Sequence, residues 1–140
     1  MAEGVQTYSA RHVLASLGNH AVSGPADGDF LTIASNISEG YSRIVGAYGE
    51  VVRSMLPDWT YTLTFLLLPQ SATVIWCNEQ YKLDRTTGDG LFPVLVKDLK
   101  GMDVFFAEQG WIASPPGAVY GVEASPRPVV IHTGEGTWNH

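Results

Sequence analysis

Charge is scarce in this chain. Asp, Glu, Lys and Arg make up only 16% of its 140 residues, whereas 45% are hydrophobic. A soluble monomer normally carries about 25% charged residues. Part of the surface is therefore expected to be covered, most simply by further copies of the chain. The basic residues are also scattered: Arg43, Arg53, Lys82, Arg85, Lys97 and Lys100 occupy the middle of the chain without forming a run. Holding a nucleic acid by its phosphates takes a basic stripe, and a chain of net charge −6 without one is not built for that task.

Other absences narrow the field further. Cys77 is the sole cysteine, which excludes an intrachain disulfide and argues against a cysteine-built metal site; a buried, inert thiol is the expected state. Met1-Ala2-Glu3-Gly4 offers neither the basic nor the apolar region of a secretory signal. Apolar runs such as Phe65 to Leu68 and Val74 to Cys77 fall far short of the ~20 residues that span a bilayer. No membrane segment is expected, and synthesis and assembly are placed in a cytoplasm-like compartment.

Catalytic chemistry finds no foothold. Ser71, Ser114 and Ser125 stand in no Gly-x-Ser-x-Gly context. Thr87-Gly88-Asp89-Gly90 lacks the lysine and the helix of a phosphate loop. Asp27-Gly28-Asp29 lacks the later bidentate Glu of a calcium loop and reads as an acidic turn. Of the histidines, His20 is expected to oppose Leu17 across a Gly18-Asn19 turn, which leaves His12 well beyond it; with His132 and His140 it forms no metal-ligand spacing. Asp103 and Glu108 are two acids in a strand-rich chain, with nothing more specific to join them. No enzyme activity, metal or cofactor is expected. Trp111, Trp138, Tyr41 and Tyr120 offer the makings of a sugar-binding platform, but aromatics serve equally in cores and interfaces, and that is the preferred reading.

What the chain does have is period-two alternation along most of its length, compatible with a single domain over residues 1–140. Thr60, Thr62 and Thr64 fall on one face of a strand and Tyr61, Leu63, Phe65 and Leu67 on the other. Strand-like pieces run over 11–17, 20–23, 30–35, 41–45, 50–55, 60–68, 91–99, 104–113, 119–123 and 129–133, punctuated by Gly18-Asn19, Gly46-Ala47-Tyr48-Gly49, Pro115-Pro116-Gly117 and Pro126/Pro128. The stretch Leu91 to Trp111 stands out as two such pieces joined at Leu99-Lys100-Gly101, with Lys97-Asp98 at the end of the first. One segment departs from the pattern. From Ser71 to Leu83 there is no Gly or Pro, and Val74, Cys77, Asn78 and Tyr81 recur at helical spacing behind Ser71 as N-cap. The fold class is mainly β: an antiparallel sandwich or barrel with one packed helix over about 71–83.

An ordered set of short motifs then becomes recognisable: Gly24-x-x-Asp27-Gly28, Gly46-Ala47-x-Gly49-Glu50-Val51-x-Arg53-Ser54, Thr62-Leu63-Thr64, Phe92-Pro93-x-Leu95-Val96-Lys97-Asp98-Leu99-x-Gly101 and Ala107-Glu108-x-x-Trp111-Ile112-x-x-Pro115-Pro116. Over about Val13 to His132 the chain resembles the tail tube (inner tube) proteins of contractile-tailed bacteriophages. It departs from them at Tyr48, where an Asp is the expected residue, and at the helix start, which lacks an Asn-Asp pair.

The resemblance implies a tail-tube-like fold and a structural role. Subunits close into hexameric rings whose inner sheets join, and rings stack into a hollow tube inside a contractile sheath. About four strands from each subunit, at about 4.8 Å, give a circumference of at least ~115 Å, enough for a DNA duplex to pass without specific binding. The implied partners are further copies of the chain, a tail sheath protein, and baseplate and tail-terminator proteins; the implied location is the virion tail, after assembly in the host cytoplasm. The Gly-rich stretch from Asn36 to Pro57 is assigned to contacts between rings. Arg43, Tyr48 and Arg53, together with Lys97 and Asp98, are the candidate contact residues between copies. Asp27, Asp29, Glu39 and Glu50 are the candidate acids facing the lumen. Two alternatives stay open: the tube of a non-viral contractile injection or secretion machine, and a small carbohydrate-binding β-barrel using Trp111 or Trp138.

Overall fold

A computed structural model describes residues 13–23, 30–98, 103–117, 120 and 125–139. Along them run β1 (Val13–Leu17), β2 (His20–Ala21), β3 (Leu31–Ser35), β4 (Tyr41–Val45), β5 (Val51–Met55), β6 (Thr60–Leu67), α1 (Ala72–Thr87), β7 (Phe92–Asp98), β8 (Val104–Ser114) and β9 (Arg127–Asn139). Seven strands form one antiparallel sheet in the order β2-β1-β7-β8-β9-β6-β3, while β4 and β5 pair only with each other. The mainly β fold with one packed helix is what the alternation predicts. Seven of its strands lie in a single curled sheet, a half-barrel.

Alternation decides the burial. Tyr61, Leu63, Phe65 and Leu67 of β6 turn inward, and the threonines between them stay half-exposed. Phe92, Val94 and Val96 of β7, Phe105, Ala107 and Ile112 of β8, and Val129 and Ile131 of β9 join them in one core. Two strands need irregularities to keep this up. In β8 the consecutive exposed pair Glu108 and Gln109 interrupts the in-out rhythm, and the register against β7 shifts there. An extra residue of this kind bends a strand and sharpens its twist, which suits a sheet that has to curl. At Gly110 just beyond, a Cβ would sit 2.7 Å from Cγ2 of Val94, so only glycine lets β7 and β8 close up.

The helix begins where the sequence places it and ends later. Ser71 caps it, accepting from the Thr73 N–H at 3.1 Å, and donates its hydroxyl to the Ser23 carbonyl. Thr73 Oγ1 accepts from the Ser23 N–H at 2.9 Å and lies 2.8 Å from His20 Nε2. His20 in turn stacks on Trp76 with ring centroids 5.1 Å apart. These contacts fasten the far edge of the sheet to the first helical turn, while Val74 and Cys77 enter the core. The helix continues past Leu83 to Thr87. Arg85 in its last turn suits the negative end of the dipole, and Thr87 donates back to the Leu83 carbonyl at 2.8 Å.

Two expectations about strands change. The last strand runs to Asn139, not to Thr133. In this extension Gly136 faces the core, where a Cβ would meet Tyr61 at 3.1 Å and Phe105 at 3.2 Å. Space, not a turn, demands that glycine. Of the expected strand over 119–123 only Tyr120 lies among the described residues; it is exposed and outside any strand.

The core assigns stability unevenly. Phe65→Ala is expected to cost ~3–5 kcal/mol, read as a lowered denaturation midpoint at unchanged slope. Burial pushes the Cys77 thiol from 9.0 up to about 12. Its raised native value favours the neutral form, so this contribution is complete below the unfolded value and fades as pH climbs from about 9 towards 12. Native protein at pH 8 is expected to leave a thiol reagent unreacted, and denatured protein to react with it fully.

Candidate assembly surface

The hairpin β4–β5 stands outside the core. Every residue of both strands is exposed, although Ile44, Val45, Val51, Val52 and Met55 are apolar and Ile44 is 71% accessible. Among the described residues, hydrogen bonds fasten it at its base. Asn36 donates to Thr60 Oγ1 at 2.8 Å and its Oδ1 accepts from Thr62 Oγ1 at 2.6 Å, while the Leu56 N–H donates to the Gly40 carbonyl at 2.8 Å. Asp58 accepts from the Thr60 hydroxyl at 2.6 Å and from its N–H at 3.0 Å; these bonds, hydroxyl first, hold its carboxyl below the usual range. Beyond this base an apolar two-stranded arm reaches into solvent. A two-stranded hairpin is marginal by itself in water, and an apolar surface of this kind marks a contact site.

Arg43 and Arg53 of the expected contact set meet in this arm. The register places them directly opposite each other, so both guanidinium groups rise from one face, with the Arg53 guanidinium 4.4 Å from the centre of the Tyr41 ring. Like charges across a strand pair are unfavourable. Among the described residues neither arginine has an ion-pair partner, although Glu39 borders the same shallow cleft. Tyr48 occupies the turn at the tip and is 94% exposed. Sequence reasoning singles out all three residues but does not reach the arginine juxtaposition, which follows from the register.

Lys97 and Asp98 lie elsewhere. Lys97 is on the outward face of β7 between Leu14 and Val104, and the Asp98 N–H donates to the Asp103 carbonyl at 3.1 Å. The hairpin β7–β8 that contains them is flanked by β1 and β9, so it offers no edge for another chain to extend. Among the described residues the open edges belong to β3 at one end of the sheet and to β2 and the start of β1 at the other. Asp27 and Asp29 fall outside the described residues. Glu39 precedes β4, and Glu50 closes the hairpin turn, accepting from the Tyr48 N–H at 3.0 Å; both belong to the arm and not to the seven-stranded sheet.

The outward face of that sheet is itself poor in charge. Rows such as Ala34–Thr62–His132–Trp111 and Ser16–Leu95–Phe106–Thr137 cross it. The aromatic platform does not form. Trp111 packs edge-on against His132 on the outward face, whereas Trp138 meets Tyr61 against the core. Among the described residues no group of His, Cys, Asp and Glu is placed to hold a metal ion, and no helix is long and apolar enough to cross a membrane.

No protein-family model and no curated protein sequence matches this chain. Solved structures do. The fold is shared with a chain in the tube-terminating cap of the anti-feeding prophage, at TM-score 0.64 and 9% identity, over 99% of this chain and 95% of that one. It is shared also with a chain in the sheath/tube terminator of the extracellular contractile injection system PVC in its extended state, at TM-score 0.62 and 8% identity, over 97% and 99%. A third match, in the sheath–tube complex of the same system, has TM-score 0.62 and 8% identity over 95% and 91%. The chain thus has, end to end, a fold used in the tube and sheath assemblies of contractile injection systems.

The arginine pair makes a prediction about the isolated subunit. Arg43→Thr is expected to stabilise the hairpin by ~0.2–1 kcal/mol at low salt, seen as slower amide hydrogen exchange over β4 and β5, with the gain shrinking in high salt.

Proposed function

We propose that this chain is a structural subunit of a contractile-tail tube, in which copies join through their sheets into rings and the rings stack through the β4–β5 arm. The observation that carries this reading is the arm itself: an exposed apolar hairpin with two unpaired arginines has no reason to persist in a monomer. The open edges support it. The edge of β3 and part of the edge of β1, each strand five residues long, are unpaired among the described residues, and antiparallel edges left open invite pairing with another copy. The hydroxyl-rich outward face suits the wall of a conduit, because it offers phosphates or proteins in transit little charge to bind.

Hexameric rings, a sheath protein around the tube, and baseplate and terminator proteins at its ends belong to this proposal, with Lys97 and Asp98 as further contacts between copies and Glu39 as an acid towards the lumen. DNA is the cargo in a phage tail, and an injection machine of the same architecture carries another. A second reading has its own support: two of the matched chains come from a tube cap and a tube terminator, which would make this subunit a terminal ring rather than a repeating one.

Electron microscopy and sedimentation of the purified protein over a concentration series test both. Long tubes are expected for a repeating subunit, and single rings or short stacks for a terminal one. Ile44→Asp with Val52→Asp is expected to leave the thermal transition of the core in place and to abolish assembly. A protein that stays monomeric at every concentration would overturn the proposal and favour a small binding module.

A further inference from the structure

The arm carries matched surfaces at its two ends. At the base, Tyr41, Met55, Leu56 and Trp59 wall a largely apolar groove of about 270 Å³ that also reaches Ile37 and Tyr61, with the Asp58 carboxylate in its lining already engaged by the Thr60 hydroxyl and N–H. Next to Tyr41 and Met55, one step further out on the same face, stand Arg43 and Arg53. At the tip, Tyr48 has nothing to pack against, and Glu50 follows two residues later. The base therefore offers an apolar slot beside two cations, and the tip an aromatic ring beside a carboxylate. The five-residue strands hold the tip about 17 Å from the base, at ~3.4 Å per residue, so the arm cannot fill its own groove.

We infer that the hairpin tip of one copy seats in the groove at the base of an adjacent copy's hairpin, with Tyr48 filling the groove and Glu50 facing Arg43 and Arg53. This rests on the assembly reading above and specifies the contact. A seated tyrosine removes ~150–250 Å² from water, and the incoming carboxylate neutralises a like-charge pair that the isolated subunit leaves uncompensated. Tip and base are different surfaces, so the contact is head-to-tail; such contacts propagate until they close a ring or extend a filament. Each arm is then supported by its neighbour, which is the support a lone hairpin lacks.

Two experiments on the full chain test it. Ala47→Cys and Leu56→Cys proteins, mixed under assembly conditions and oxidised, are expected to give a disulfide-linked dimer that neither gives alone. The double variant is expected to give a ladder, because tip and base of one chain are too far apart for a disulfide, which needs Cα atoms roughly 4.4–6.8 Å apart. The native Cys77 is buried and does not compete. In the second experiment, Glu50→Arg and the pair Arg43→Glu with Arg53→Glu are each expected to raise the concentration needed for assembly at least ~10-fold, about 1.4 kcal/mol per contact. Mixed together they are expected to co-assemble, since each tip then meets an oppositely charged base. Assemblies of the cysteine variants that form without any cross-link, or charge variants that assemble like the parent, would overturn this contact and leave the assembly reading intact. Absence of assembly by the parent protein would remove both.

Discussion

A seven-stranded antiparallel sheet with a single helix beside it has to cover most of its apolar face with itself. Here it does so by curling until strands that are not neighbours touch: Tyr61 of β6 meets Phe105 of β8 edge-on with ring centroids 5.1 Å apart, with β9 between their strands in the sheet. The other features follow. The register shift near Glu108 and Gln109 falls in β8, Gly110 and Gly136 leave the space that Val94, and Tyr61 with Phe105, come close enough to fill, and α1 adds Val74 and Cys77 to the core. Burial on one face only is also what leaves the second face and two edges available.

The molecule divides its labour on physical lines. Large fully buried side chains, Phe65, Phe105 and Leu63 among them, hold the body together with no help from outside. The β4–β5 arm has an equally apolar composition and no interior, and its base is held by short polar contacts from Asn36 and Asp58. An apolar arm on a body with its own core is the division that the proposed assembly role would use. Matches that span more than nine-tenths of the chain at 8–9% identity fit this view, because a curled sheet asks for alternation and a few glycines, which many different residues can satisfy.

The regular parts of the fold were legible because they are local. Ser71 announces the helix, the threonine–apolar alternation announces β6, and Gly18-Asn19 sets Leu17 opposite His20 as expected. Local windows did not reach the full length of the last strand, which runs on to Asn139, or the flanking of β7 and β8 by β1 and β9, strands from outside that hairpin. Among the candidate contact residues, Arg43, Tyr48 and Arg53 were found through the composition of their loop, and the groove beside them was not, since its walls come from both strands and from Trp59 beyond them.

Which face most strand residues take, where the helix starts, and that a lone cysteine leaves no intrachain disulfide: these the amino-acid sequence determined by itself, through period, capping chemistry and composition. The order of the strands, the opposition of Arg43 to Arg53, the glycine demanded by Tyr61 and Phe105, and the emergence of an unsupported apolar arm were decided only by the tertiary structure. Each of those depends on residues brought together from distant parts of the chain or across a register, and no window of local sequence contains both partners.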